Sequence, residues 1–195
     1  DGSVDKFPDS LKTEFETTAG RSVFDGAGLD PDVEVETDYI SIVAINLITS
    51  GLIFDYASKY CGEHPTQPDF KTFALSDKDY EAFVDWTNKK NLKYTTRLEK
   101  SVDDLIEVSN EEKKHQELSP LLTDLRKKVE ENKGNDLIRF KPEIMEILTE
   151  QIAFHYALDA GRLEVSASKD KTLLEARQLV NNDEKYMEIL SAGKK

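Results

Sequence analysis

Residues 20–32 read Gly-Arg-Ser-Val-Phe-Asp-Gly-Ala-Gly-Leu-Asp-Pro-Asp, and this stretch separates two kinds of sequence. Its three glycines can take a positive φ without strain, while Pro31 fixes its own φ and restricts the residue before it. The chain before the stretch alternates apolar and polar residues, whereas the chain after it repeats apolar residues at helical spacing. The stretch therefore predicts the return of a β-hairpin, followed by a tight exit from a sheet.

The same glycines also raise the alternative of a nucleotide-binding loop. Gly26-x-Gly28 has the spacing of the first two glycines of such a loop, but neither a third glycine nor Gly-Lys-Ser/Thr follows it. Three nearby acids, Asp25, Asp30 and Asp32, would repel a phosphate. A structural turn is therefore the preferred interpretation.

Two short β-prone runs border the turn. Residues 11–17 alternate, which places Leu11, Thr13, Phe15 and Thr17 on one face, and residues 22–25 form the second run. Residues 18–21 join them as a hairpin, and Val33–Val35 is predicted as a short third strand. Because a lone hairpin is marginally stable in water, we expect it to lean on helices or on a sheet outside this segment.

Helix-start signals follow one another from Asp38 onward. Capping boxes at Ser76-x-x-Asp79, Thr96-x-x-Glu99 and Thr172-x-x-Glu175 predict three starts, and Ser119-Pro120 predicts a fourth. Other helices are predicted from Asp38 to about Tyr60, from about Asp136 to Leu163 with Pro142 kinking or starting it, and after Asn182-Asp183. The predicted fold class is mainly α: a multi-helix domain at 38–195 preceded by a short β-hairpin and strand segment at 1–37.

The segment Ile40–Tyr56 is the most apolar in the chain. It is apolar nearly all round in its first half, so we expect it to be the most buried helix. An Ile45→Asp change is then predicted to place a charge in an apolar setting and to unfold the protein. The same run is too short and too polar to span a bilayer.

Net charge limits the classes of partner. The chain carries a formal charge of −13, of which residues 1–37 hold −7, with ten acids and three bases. Such a charge argues against binding to nucleic acid and to anionic membrane surfaces. The acidic first segment is thus a different kind of sequence from the tail.

No residue pattern points to catalysis, to a cofactor or to a metal. The three histidines, His64, His115 and His155, have no His or Cys at ligand spacing, and Cys61 is single. An Asp159–His155 pair on one helix face could orient an imidazole, although a plain polar pair is the simpler interpretation. The acids Glu143, Glu146 and Glu150 are interpreted as a solvated face, and Ser22, Ser41 and Ser50 lack the setting of a nucleophile.

Several motifs resemble one protein family. They are Asp1-Gly2-Ser3-Val4, Pro8-Asp9-Ser10-Leu11, Glu14-Phe15-x-Thr17, Gly20-Arg21-x-Val23-Phe24-Asp25-Gly26-x-Gly28-Leu29-x-Pro31-Asp32, Gly51-Leu52-Ile53-Phe54-Asp55-Tyr56-Ala57 and Leu75-Ser76-Asp77-x-Asp79-Tyr80. Together they resemble the end of the protease domain, and the helical tail, of carboxy-terminal processing peptidases, also called tail-specific proteases. The resemblance implies structural roles for Gly20, Arg21, Asp25, Gly26, Gly28, Pro31 and Asp32.

The family resemblance also implies an activity for a longer parent protein. Members are serine endopeptidases with a Ser/Lys dyad, whose motifs lie upstream of this segment and match no position in it. We therefore expect a C-terminal fragment that cleaves nothing alone, with the rest of the parent protease as its partner and polypeptide as the parent's substrate. The resemblance further implies a periplasmic or otherwise extracytoplasmic location, and it leaves a homo-oligomer open. The alternative is a free-standing helical protein-binding module that shares only the turn motif.

Overall fold

The computed structural model describes residues 12–18, 20, 22–25, 31–36, 39–90 and 92–191. Within these residues a two-stranded hairpin precedes nine helices, which confirms the predicted fold class. The elements are β1 (Glu14–Glu16), β2 (Ser22–Phe24), α1 (Ile42–Thr49), α2 (Leu52–Glu63), α3 (Asp77–Lys89), α4 (Arg97–Glu111), α5 (His115–Gly134), α6 (Asp136–Arg139), α7 (Lys141–Ser166), α8 (Lys171–Val180) and α9 (Asp183–Ser191).

The hairpin forms where the alternating pattern and the turn residues predict it. Strands β1 and β2 are antiparallel, with Phe15 opposite Val23. Gly20 has a φ of +79°, and its N–H donates to the Thr17 carbonyl at 2.9 Å, which closes the turn. The third strand predicted at Val33–Val35 is wrong, because the sheet of the described residues has two strands and none pairs with this run.

The chain divides into two compact units. One comprises the described residues of Asp1–Asp38 and Lys169–Lys195, and the other is Tyr39–Ser168. In the first unit α8 packs on α9, with an ion pair of 3.4 Å between Lys185 and Glu175. Compactness does not test independent folding, so the predicted domains at 1–37 and 38–195 stay a prediction.

The core of the Tyr39–Ser168 unit lies between α1, α2, α3 and α7. Its largest fully buried side chains include Leu47 of α1, Phe83 of α3, and Ile144, Leu148 and Ile152 of α7. These three α7 residues follow the spacing i, i+4 and i+8 and so lie along one helix face. The apolar stripe of α7 is therefore the centre around which the other helices pack.

The single helix predicted from Asp38 to Tyr60 is in fact two helices. Gly51 has a φ of +77°, which a helix cannot include, and α2 begins after it. Helix α1 is capped by Ser41, whose side chain accepts from the Ala44 N–H; Asp38 lies outside the described residues. The Ser41 N–H itself donates to Glu143 at 2.7 Å, which links the start of α1 to α7.

Burial of this segment is one-sided, although its first half is apolar nearly all round. Val43, Ala44 and Leu47 are fully buried, but Ile45 is 40% exposed and Ile48 is 45% exposed. One face of α1 packs on the core and the other faces solvent. Ile45 is therefore a poor position from which to test the core.

Helix α7 is two helical segments joined at a kink. Ala157 has φ −140° and ψ 21°, and Leu158 has φ 54° and ψ −144°, a left-handed φ that costs a non-glycine residue energy. The kink leaves the Leu158 side chain 66% exposed. After the kink, Val165 packs with Phe70 and Ala153 in a second, small buried cluster.

The helix-start signals succeeded in part. Capping boxes are present at Ser76 and Thr96, as predicted. The predicted starts at Ser119-Pro120 and Thr172 are wrong: α5 begins at His115, with Pro120 in its second turn, and Asp170 caps α8. Pro120 lies beyond the first turn of α5 and has no N–H, so the helix lacks one i→i−4 hydrogen bond there.

In the part of the chain described here, no helix has the length and hydropathy needed to cross a membrane.

Candidate functional site

Four of the seven family-motif residues lie in the described part of the chain. Asp25 closes the hairpin: its carboxylate accepts from the Thr13 N–H at 2.7 Å, and its own N–H donates to the Thr13 carbonyl at 3.1 Å. Gly20 supplies the turn, and both Pro31 and Asp32 are exposed. Arg21, Gly26 and Gly28 lie outside the described residues, so the structural role of the full motif stays a prediction.

A cavity of about 470 Å³ lies in the Tyr39–Ser168 unit, where α3 meets α4 and α5. Apolar side chains and a few polar ones share its wall. The lining residues are Val43, Thr87, Asn88, Leu92, Tyr94, Glu99, Glu130, Lys133, Gly134 and Leu137. A concave mixture of this kind is the usual setting of a ligand site.

Lys133 and Glu99 form the electrostatic centre of the cavity wall. The Lys133 ammonium donates to the two Glu99 carboxylate oxygens at 2.9 and 3.1 Å and to the Tyr94 carbonyl, and it lies 4.6 Å from the Tyr94 ring centroid. Burial alone would raise the pKa of Glu99, but the Thr96 N–H and Lys133 lower the pKa below its usual value. The Glu99 carboxylate is therefore ionised at neutral pH.

The Tyr94 hydroxyl donates to the buried Asp136 carboxylate at 2.7 Å. Burial, and then Asp136, raise the pKa of Tyr94 well above its ordinary value, so the phenol keeps its proton. Thr87 also lines the cavity, and its buried hydroxyl has no hydrogen-bond partner in the described residues. Sequence reasoning named Glu99 only as a cap and missed the others, because 34 to 42 residues separate the partners.

This arrangement can hold a ligand or a neighbouring chain, but it holds no activated nucleophile. The Lys133 ammonium already donates to a carboxylate and a carbonyl and lies over an aromatic ring face. A nucleophilic lysine needs the opposite environment, one that desolvates it and favours the neutral amine. The cavity therefore has the chemistry of binding or of structural closure.

A second polar contact joins α2 to α7. His155 Nδ1 donates to the Gln151 carbonyl at 2.8 Å, its Nε2 lies 2.9 Å from Ser58 Oγ, and its ring packs 4.6 Å from that of Phe54. The Asp159–His155 pair considered from the sequence is wrong, since Asp159 pairs with Arg162 at 2.8 Å. Neighbouring backbone N–H groups inside α2 are used by the helix itself, so they supply no oxyanion donors beside Ser58.

The remaining candidate residues have structural contacts. Burial raises the pKa of the Cys61 thiol, although Tyr156 offsets part of that effect, and a raised pKa makes the thiol less reactive. Glu143 receives the Ser41 N–H, and His115 contacts Ser109 at 3.1 Å. Among the residues that the structure describes, no three His, Cys, Asp or Glu side chains are grouped as a metal site.

Comparison with known proteins identifies the helical region. A family model described as "Probable PDZ-protease, C-terminal helical domain" matches residues 43–180, which include α2 to α8 and nearly all of α1. No significant match was found among curated proteins or among solved structures. The match covers well over half of the 195 residues. The chain therefore belongs to the family of C-terminal helical domains of probable PDZ-proteases.

Proposed function

We propose that this chain is the C-terminal part of a carboxy-terminal processing serine protease whose Ser/Lys dyad lies elsewhere in the parent protein. The observation that carries the proposal is the family match over residues 43–180. The motifs at residues 20–32, which resemble the end of the protease domain in tail-specific peptidases, support it independently. In this proposal residues 1–36 complete the edge of the catalytic domain.

The helical region would act as a structural, substrate-handling or assembly element of the parent. Its outer face offers a surface for that role. Tyr39 is 98% exposed and Ile40 is 54% exposed, and they precede the exposed Ile45 and Ile48 of α1. Grouped exposed apolar side chains of this kind are typical of contact surfaces, and we propose the catalytic domain as their partner.

The parent would act outside the cytoplasm, in the periplasm or an equivalent compartment. This part of the proposal is supported by the resemblance to tail-specific proteases. Fractionation of cells that express the parent, with markers for each compartment, is the direct measurement. Recovery with the cytoplasmic marker would overturn the location and leave the rest of the proposal in place.

The experiment for activity compares three proteins on an unstructured peptide substrate: this chain, its parent, and the parent with residues 38–195 deleted. We expect no turnover by the chain and turnover by the parent. The deletion should lower stability or substrate handling while leaving the dyad in place, so an active-site acylating probe should still label it.

Two results would overturn the proposal. One is turnover by the purified chain that a single Ser→Ala change within it abolishes. The other is a parent without serine and lysine motifs, which would favour the free-standing binding module instead.

A further inference from the structure

Helices α4 and α5 form an antiparallel pair whose two sides differ. Val102 and Ser109 of α4 and Leu122 and Val129 of α5 are buried between the helices. Two ion pairs set the direction: Glu99 meets Lys133, and Asp103 meets Arg126 at 3.2 Å. The residue number rises along one helix as it falls along the other, so the helices are antiparallel.

Both ion pairs lie on the same side of this buried seam. Asp103 and Glu99 stand one residue after and three before Val102. Arg126 and Lys133 stand four residues after Leu122 and Val129, respectively. At about 100° per residue, all four charged residues are displaced from the buried position in the same rotational sense around their helix. In an antiparallel pair, equal offsets from the seam bring residues of both helices to one side of the pair.

The opposite side of the seam carries exposed apolar residues. They stand one or four residues before a buried position, or three residues after one, and we call them the apolar hairpin face. Its members, with their exposed fractions, are Leu98 (58%), Leu105 (47%), Val108 (47%), Leu118 (37%), Leu121 (69%) and Leu125 (41%). Six exposed apolar residues along one side of two paired helices are typical of a surface that contacts another molecule.

The rim of this face is acidic. Positions two after or five before a buried residue border the face, and five of these six positions are acids: Asp104, Glu111, Glu117, Asp124 and Glu131, with Arg97 as the sixth. The matching rim on the other side contains Lys100, Lys114 and Lys127 and only one acid, Glu107. Four residues directly precede a buried residue on the apolar side, and Lys128 is the one base among them. Glu131 lies 3.9 Å from Lys127 of the other rim. The remaining four acids still make the apolar side of the α4–α5 pair more acidic than the opposite side.

We propose that the apolar hairpin face binds an amphipathic helix with basic flanks from a partner protein. A helix whose apolar stripe lies in the groove between α4 and α5 would complete a three-helix unit. Its lysines or arginines would then meet the acidic rim. A second copy of this chain fits less well, because it would bring the same acidic rim and another charge of −13. This inference stands apart from the proposed protease function.

The test uses synthetic peptides as probes and the full 195-residue chain as receptor. The probe has about 18 residues, or five helical turns, with leucines along one face and lysines elsewhere. A scrambled peptide of the same composition keeps the charge but loses the apolar face, and a third peptide replaces every lysine with glutamate. We expect calorimetric binding of the first peptide and binding weaker by about tenfold or more for the other two.

Variants of the chain then locate the binding surface. Leu98→Gln with Leu121→Gln, at the two most exposed positions of the face, should weaken binding about tenfold. Ile138→Gln is the matched control, since Ile138 is 71% exposed on α6 and should leave binding unchanged. Asp104→Asn with Asp124→Asn keeps the apolar face and should weaken binding and its salt dependence, which tests the rim without risk to packing.

Three results would overturn the inference. The first is binding of the scrambled or the glutamate peptide as tight as that of the first peptide, which would show that the apolar stripe or the basic flank is irrelevant. The second is a loss of affinity in the Ile138→Gln variant as large as in the Leu98/Leu121 double variant. The third is a dimer of the chain in sedimentation that Leu121→Gln dissociates, which would identify a second copy as the occupant.

Discussion

The α1–α2–α3–α7 bundle and the α4–α5 pair are both amphipathic, yet they bury their apolar residues to different extents. In the bundle Leu47, Phe83 and Leu148 are 0% exposed, because helices cover them from several sides. In the pair, Leu122 is 6% exposed while its neighbour Leu121 is 69% exposed. Two helices have one contact line between them, so an apolar stripe wider than that line stays partly in water. Full burial in this protein thus requires a third neighbour.

The largest expected difference between the two regions is in the cost of removing a leucine. Leu148→Ala in α7 should lower the free energy of unfolding by about 2–5 kcal/mol, because it leaves a cavity in the bundle core. Leu125→Ala in α5, where the side chain is 41% exposed, is the matched change and should cost less than about 1.5 kcal/mol. Urea denaturation of both variants measures the difference. Equal costs would show that the two regions are packed alike.

The second prediction concerns glycines in the same two regions. A Cβ at Gly161 of α7 would lie 2.5 Å from the Ala153 carbonyl oxygen and 3.0 Å from the Phe70 ring, so Gly161→Ala should destabilise by about 1–3 kcal/mol. Gly134 of α5 has no atom within 4 Å of such a Cβ, and Gly134→Ala should be neutral or stabilise by up to about 1 kcal/mol. Thermal melting of both variants checks the contrast. A neutral Gly161→Ala would show that the second half of α7 is not held against the first.

The third prediction concerns pH and the half-buried ion pair of Glu99 and Lys133. The folded state lowers the pKa of Glu99, so the unfolded chain binds more protons below the usual value of 4.5 and stability falls as pH drops through that range. Glu99→Gln should cost about 1–3 kcal/mol at pH 7, where Lys133 loses its carboxylate. The difference in free energy of unfolding between the Glu99→Gln variant and the unmodified chain should become smaller below pH 4.5. A gap that is constant from pH 7 to pH 3 would contradict the role of Glu99 ionisation.

The smallest expected effect belongs to the exposed ion pair on the same side of the α4–α5 pair. Arg126 and Asp103 are 55% and 50% exposed, whereas Lys133 and Glu99 are 24% and 18% exposed. Asp103→Asn should therefore change the free energy of unfolding by less than about 1 kcal/mol, and added salt should remove most of that change. A double-mutant cycle with Arg126→Met measures the coupling directly. A coupling larger than that of Glu99 with Lys133 would reverse the ranking.

Local signals were reliable where a few adjacent residues complete the interaction. The capping boxes at Ser76 and Thr96 and the turn at Gly20 lie within four residues of their partners, and all three were predicted. Errors arose where two local signals competed. Asp170, not Thr172, caps α8. Ser119-Pro120 lies inside α5, which begins at His115, a residue that contacts Ser109 of α4 at 3.1 Å.

The candidate site shows the same limit over a longer distance. Glu99 was recognised as a helix cap, but nothing near it in the chain indicates Lys133 or the Tyr94 carbonyl. Those contacts depend on the turn between α4 and α5 and on the approach of α6. Side-chain burial could not be read from composition either: Ile45 and Leu47 are both strongly apolar, and only the docking of α1 decides which is exposed.

The sequence by itself determined the β-hairpin, the change to helix after Asp38 and the family of the helical domain, because these depend on backbone propensity and short motifs. The tertiary structure decided the break at Gly51, the kink at Leu158, the buried face of each helix and the cavity beside Lys133. It also decided that the apolar face of α4 and α5 stays open. Which side of an amphipathic helix is covered depends on long-range contacts, and their closure is a property of the whole fold.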